Sequence, residues 1–210
     1  MNTNKLKNSK LKHKLLENSI DIAHYNRDKK QENDITHQLI YISRMNFDKG
    51  HYTLLKAWSK IEEKNNIQLI LVGPDETNGE LSRLAQNDPS VRFTGSVPNV
   101  KDFLNSSTIG LFPSRKEGLP LALLEMMAYE LPIIVSDIPE LTSIIEDSVE
   151  GLHAKLDDAD DLKDTILRLL NNAQLCEQLG KKSRQKVEEI CKRNNPIHFH
   201  ENFYRELIAS

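Results

Sequence analysis

Three short stretches carry residue types that together can hold a phosphorylated ligand. In Ser43-Arg44-Met45-Asn46-Phe47-Asp48-Lys49-Gly50, a basic residue follows an apolar run and a second one precedes a helical pattern. Two cations beside the free N–H groups of a helix start make a site for phosphate. In Phe93-Thr94-Gly95-Ser96-Val97, a glycine follows an apolar segment, where it lets a ligand approach the backbone closely. In Pro113-Ser114-Arg115-Lys116-Glu117-Gly118-Leu119-Pro120-Leu121-Ala122-Leu123-Leu124-Glu125, an apolar run ends, a glycine turn follows and a helix begins. Taken singly, each stretch also has a plain reading: exposed loop cations, a turn glycine, solvated helix carboxylates.

The third stretch says most. The N–H groups of Gly118, Leu119 and Leu121 are expected at the positive end of a helix dipole, which suits a diphosphate. Glu117 precedes that helix and Glu125 lies within it, at most about 12 Å away at 1.5 Å per residue. That is roughly the span from a sugar ring to a ribose across a diphosphate. Carboxylates accept hydrogen bonds from vicinal hydroxyls, so one carboxylate per sugar with N–H groups between them suits a sugar nucleotide. Glu125 shares a helix face with Leu121 and Ala128, a face expected to meet the sheet, where a carboxylate needs a partner.

These stretches need a frame, and the hydropathy pattern supplies one. His37–Ser43, Gln68–Gly73, Val91–Thr94, Thr108–Phe112 and Pro132–Ser136 read as strands. Leu54, Leu55, Trp58 and Ile61 recur at helical spacing, and further helical patterns lie near 79–87, 97–105, 120–129, 139–146, 160–171, 173–189 and 197–208, with Pro120 in a first turn. Wholly apolar strands separated by amphipathic helices predict a doubly wound, Rossmann-like α/β domain with a parallel sheet. Ligands of such sheets bind beyond the carboxyl ends of the strands, and all three stretches follow strands. The expected organisation is a basic arm and linker over 1–36, the nucleotide-sugar-binding domain over 37–195 and a C-terminal helix over 196–210.

The 210 residues are 38% hydrophobic and carry 28 Lys+Arg against 31 Asp+Glu, a net charge of −3. This balance argues against a nucleic-acid binder. No apolar run is long enough for a membrane helix, and no secretory signal pattern is present. Cys176 and Cys191 have neither CxxC spacing nor metal-ligand neighbours, so no metal site is expected. Residues 1–16 carry five Lys and one His without an acid; the segment is a solvated arm or a contact for an anionic membrane.

In this order, SRMNFDKG, VRFTGSV, PSRKEGLPLALLEMMAYELPIIVSD and SDIPELTSIIED resemble the C-terminal, donor-binding half of GT-B glycosyltransferases of the retaining family 4 type (glycosyl transferases group 1). The likeness spans residues 17–208. It implies one Rossmann-like half of a GT-B enzyme, which transfers a hexosyl group from a UDP-, GDP- or ADP-sugar to a glycan or lipid-linked acceptor with retention. By resemblance, Arg44 and Lys49 grip the diphosphate, Glu117 meets the donor sugar and Glu125 the ribose. Gly118, Leu119 and Leu121 present N–H groups to sugar and phosphate, and Gly95, Ser96 and Val97 border the base. Glu117, Arg44 and Lys49 are the residues implied to act in catalysis. The family is metal-independent and needs no further cofactor.

Two departures are mild: Glu130 stands where a glycine is usual, and Met126 where an alanine is. Glu17-Asn18-Ser19-Ile20-Asp21 resembles the crossover between the two GT-B domains, which implies that an acceptor domain lies outside this chain, in a longer protein or on a partner. Such an enzyme is expected in the cytoplasm, at the inner face of the membrane. The alternatives are a non-catalytic or split-enzyme subunit that docks an acceptor domain, and a fragment of a GT-B-like sugar-nucleotide 2-epimerase.

Overall fold

The computed structural model describes residues 19–25, 37–118, 120–194 and 204–205. They form a wholly parallel six-stranded sheet in the order β3-β2-β1-β4-β5-β6. The strands are β1 (His37–Ile42), β2 (Ile67–Val72), β3 (Val91–Gly95), β4 (Ile109–Phe112), β5 (Ile133–Ser136) and β6 (Gly151–Ala154). The helices are α1 (His51–Ser59), α2 (Glu80–Leu84), α3 (Lys101–Ser106), α4 (Leu121–Ala128), α5 (Pro139–Thr142), α6 (Ala159–Leu170) and α7 (Ala173–Arg193). β4 and β5 are buried at every position, as a sheet covered on both faces requires. Leu54, Leu55 and Trp58 of α1, and Leu123, Leu124, Met126 and Met127 of α4, complete the core with the strands. The expected doubly wound α/β class is the observed one.

The differences are local and have physical reasons. β6 has no counterpart among the expected strands, because Gly-Leu-His-Ala is four residues long and lacks a β-branched run. Its glycine is required by close packing: a Cβ on Gly151 would lie 2.2 Å from the Ile133 carbonyl oxygen. α3 starts at Lys101 rather than Val97, because Pro98 and Asn99 form a turn in which the Asn99 side chain accepts from the Lys101 N–H at 3.0 Å. Pro120 is the N-cap of α4, with extended ψ of 112°, and not a first-turn residue. α2 and α5 are shorter than their patterns, and α7 runs four residues further, to Arg193. Asp158 caps α6 by accepting from the N–H groups of Asp160 and Asp161.

The basic arm, most of the polar stretch 25–36 and most of the expected helix 197–208 lie outside the described residues. Ser19–Tyr25 is described and packs on the domain. Ser19 Oγ donates to the Asn194 carbonyl at 3.1 Å, and Arg184 of α7 donates to the Tyr25 carbonyl.

Candidate functional site

The strand order reverses between β1 and β4. Connections leave these neighbours in opposite directions, so a crevice opens at their carboxyl ends, the usual ligand position of such a sheet. The loops at this point are those holding Arg44, Lys49 and Glu117.

The two loops are locked together. Gly50 has φ +67°, and a Cβ there would lie 1.8 Å from the Pro113 carbonyl oxygen. Only glycine provides both the left-handed turn and the contact. The Arg115 N–H donates to the Asp48 carbonyl at 2.8 Å. Below them, the buried Tyr41 hydroxyl donates to the Lys49 carbonyl at 2.8 Å and lies 2.7 Å from Ser114 Oγ. Burial pushes the Tyr41 phenol far above its ordinary value. His51 stacks on the Tyr41 ring at 4.7 Å between centroids. Burial lowers the His51 imidazole to about 4, against the opposing pull of Asp75, so it is neutral at physiological pH. The loop carrying both cations therefore stands on a rigid, hydrogen-bonded base.

Lys49 Nζ is 2.7 Å from Glu117 Oε1, and the two side chains are 19% and 6% exposed. The carboxylate expected to hold sugar and one cation expected to hold phosphate are thus direct partners. Arg44 is not part of this pair. Its Nη1 lies 3.4 Å from Glu76 Oε1, and Asn46 Nδ2 donates to Glu76 Oε2 at 2.9 Å. Arg44 is 66% exposed in its side chain, free to reorient towards a ligand. Glu76, on the loop after β2, was not among the residues singled out from the sequence; nothing in its spacing marks it.

Glu125 is half-buried on α4 and has a partner of long sequence separation: the Tyr25 hydroxyl donates to its Oε1 at 2.8 Å. Burial first and the Glu125 bond second push the Tyr25 phenol up to about 12, so it remains a donor. Leu121 does not face the sheet as its helix position suggested; it is 47% exposed at the rim of the crevice. The reason is that α4 begins at Leu121 itself, ahead of the turn that packs inward. The Leu121 N–H has no acceptor among the described residues, as the diphosphate reading requires of a helix start. Gly118 is exposed, with open space where a Cβ would stand. Leu119 lies outside the described residues.

On the neighbouring loop, Gly95 adopts φ +67°, and a Cβ there would meet no atom of the described residues within 4 Å. Its carbonyl accepts the Gly73 N–H at 2.9 Å, which ties the ends of β2 and β3 together. Ser96 is exposed and Val97 packs partly on the core. Beyond β4, Arg115 stacks its guanidinium 3.7 Å from the centroid of the exposed Phe47 ring and pairs with Asp157 at 2.6 Å.

A parallel sheet with cations, carboxylates and a helix start gathered at its switch point defines a doubly wound, Rossmann-like α/β protein. The glycosyl transferases group 1 family matches residues 24–186, and the chain belongs to that family. An uncharacterized glycosyltransferase of Haemophilus influenzae is 30% identical over 146 residues, 67% of this chain and 41% of that protein. The N-acetyl-alpha-D-glucosaminyl L-malate synthase of Bacillus anthracis is 27% identical over 81% of this chain and 45% of its own length. The chain thus spans less than half of these curated relatives. Among solved structures, an Anabaena protein, HepE, in complex with UDP and glucose superposes with a TM-score of 0.76 at 16% identity, covering 94% of this chain and 57% of that one. The C-terminal domain of a group 1 family protein, LpcC, from Francisella tularensis gives 0.71 at 17% identity, over 81% of this chain and 97% of that one. The fold is the Rossmann-like one of GT-B glycosyltransferases.

Proposed function

We propose that this chain is the donor-binding half of a retaining, metal-independent glycosyltransferase that uses a nucleoside-diphosphate hexose. The observation that carries the reading is the Lys49–Glu117 pair at the β1/β4 switch point, beside the Leu121 N–H at the start of α4, which has no acceptor among the described residues. Lys49, Arg44 and that helix start neutralise charge on the departing diphosphate as the anomeric C–O bond breaks. Glu117 holds donor hydroxyls, and Glu125 holds the ribose. Gly95, Ser96 and Val97 border the base, and Gly118, Leu119 and Leu121 offer backbone N–H groups to the sugar and phosphates. Glu117 positions the sugar through its pair with Lys49 and is not assigned a nucleophilic step. The UDP and glucose complex of the structurally similar Anabaena protein supports a nucleotide-sugar donor. Relatives named for capsular polysaccharide biosynthesis and for a diphospho-undecaprenol acceptor support a glycan or lipid-linked acceptor. No helix among the described residues is long and apolar enough to cross a membrane; work at the inner membrane face would then rest on the acceptor and on the basic arm.

Calorimetric titration with UDP, GDP and ADP, each with and without EDTA, tests this. One nucleotide binding equally in both conditions, and at least tenfold more weakly to Lys49→Met, is the expected result. Binding that needs a divalent ion would contradict the metal-independent part. Binding of none of them would contradict the donor-site reading.

A second reading has its own support. Phe47, Leu121 and Leu156 are exposed apolar residues, all on segments that follow strands. Such a rim suits docking of an acceptor domain, from the same protein or from a partner chain. Transfer activity restored by a separately expressed acceptor domain is the outcome this reading expects.

A further inference from the structure

Tyr25 precedes Glu125 by 100 residues in sequence, yet its hydroxyl reaches that carboxylate on α4. Contacts from three directions hold it. Its N–H donates to the Ile22 carbonyl at 3.1 Å. Its carbonyl accepts from Arg184 Nη1, the same nitrogen that caps the Ala128 carbonyl at the end of α4. Its ring meets Tyr129 edge-on at 6.2 Å and 88°. The Lys101 ammonium lies 5.4 Å from the ring centroid on the side of α3. The ring is therefore clamped between α3, which follows the Gly95–Val97 loop, and the C-terminal end of α4. Among the described residues the hydroxyl's acceptor is Glu125 Oε1, at 2.8 Å.

We infer that Tyr25 is a positioning residue for ribose recognition: it ties one oxygen of Glu125 and so presents the other, Oε2, to a ribose hydroxyl. The inference rests on the assignment of Glu125 to the ribose. A glutamate on a helix is rotationally free, and holding it in a ligand-competent rotamer costs side-chain entropy at the moment of binding. A donor supplied by the fold removes that cost beforehand. A phenol is suited to the task. It donates one hydrogen bond and is held as a donor by its raised pKa. It also leaves the carboxylate its remaining lone pairs for the ligand. The discrimination this builds is for nucleotides bearing ribose hydroxyls.

The test uses the full chain, whichever of UDP, GDP and ADP binds tightest, and the 2′,3′-dideoxy form of that nucleotide. Tyr25→Phe keeps the ring, its clamp and the fold, and removes only the donor. It is expected to weaken the ribonucleotide about fivefold and to leave the dideoxy nucleotide unchanged, so the ribose preference shrinks. In a Glu125→Gln background the same substitution is expected to change neither affinity. Equal weakening of both nucleotides by Tyr25→Phe, or no weakening of either, would overturn the inference, since a merely structural role moves the melting temperature and not the ribose preference. If Glu125→Gln itself leaves that preference intact, the ribose assignment of Glu125 is what fails.

Discussion

Replacing Lys49 by Met removes a cation while keeping most of its stem. The structure sets the size of the effect. Glu117 is 6% exposed in its side chain and has Lys49 Nζ at 2.7 Å, itself 19% exposed. Deleting one member of a buried pair leaves an uncompensated charge and costs about 3–5 kcal/mol. Because the pair lies at a crevice that admits water, the lower end, about 3 kcal/mol, is expected. For a chain of this size that corresponds to a fall in Tm of about 6–12 °C. Glu117→Gln is milder, about 1 kcal/mol, because Lys49 reaches water and the amide oxygen still accepts. The double variant is expected to be more stable than Lys49→Met, with a coupling energy of about 2 kcal/mol. Urea denaturation at pH 7.5 across the cycle measures this. Glu117→Gln also separates the two ligand parts. The free nucleoside diphosphate binds as well or better, because a negative charge beside the phosphates is gone, while the nucleotide sugar binds more weakly. A loss below about 1 kcal/mol for Lys49→Met, or additive single effects, would refute the picture of a buried, mutually dependent pair.

Gly50→Ala places a Cβ 1.8 Å from the Pro113 carbonyl oxygen at φ +67°. It should destabilise the chain by about 3 kcal/mol or more, read as a lowered urea midpoint. Arg44→Ala removes only an exposed contact with Glu76, so Tm is expected to stay within about 1 °C. Nucleotide affinity falls about tenfold, and unchanged affinity in the titration removes Arg44 from the site. His51 has a folded pKa of about 4, below its unfolded value of about 6.5. The unfolded chain therefore binds the proton first, and the stability present above pH 6.5 is lost progressively down to pH 4, by about 3 kcal/mol at most. His51→Phe keeps the stacking on Tyr41 and should flatten that part of the urea-midpoint profile relative to the parent; parallel profiles would show that His51 is not the group involved.

The parts of this account legible in the sequence are those with dense local signals. Apolar runs such as Gln68–Val72 and Ile109–Phe112 declare buried strands, and the glycines and prolines between them mark the loops. That Arg44, Lys49 and Glu117 stand on loops that follow strands is legible in the strand pattern; that those loops meet at the switch point depends on the sheet order. What was not legible is pairing across long sequence distance. That Lys49 spends its charge on Glu117, that Arg44 faces Glu76 and that Tyr25 reaches Glu125 depend on which loops the sheet order makes neighbours. Periodicity along one chain carries no information on that. β6 escaped for a different reason: its fit depends on the Ile133 carbonyl against Gly151, a requirement of packing and not of composition. Leu121 misled because heptad-like spacing assigns a face to a residue that stands at the very start of its helix.

Backbone amide NMR during titration with UDP, GDP and ADP tests the central claim, that a nucleoside diphosphate binds at the β1/β4 switch point. With the nucleotide that binds, shifts are expected to concentrate at Arg44, Lys49, Gly95, Gly118, Leu121 and Glu125, at the carboxyl ends of β1, β3 and β4. Shifts centred on the opposite edge of the sheet, or none with any nucleotide, would contradict it.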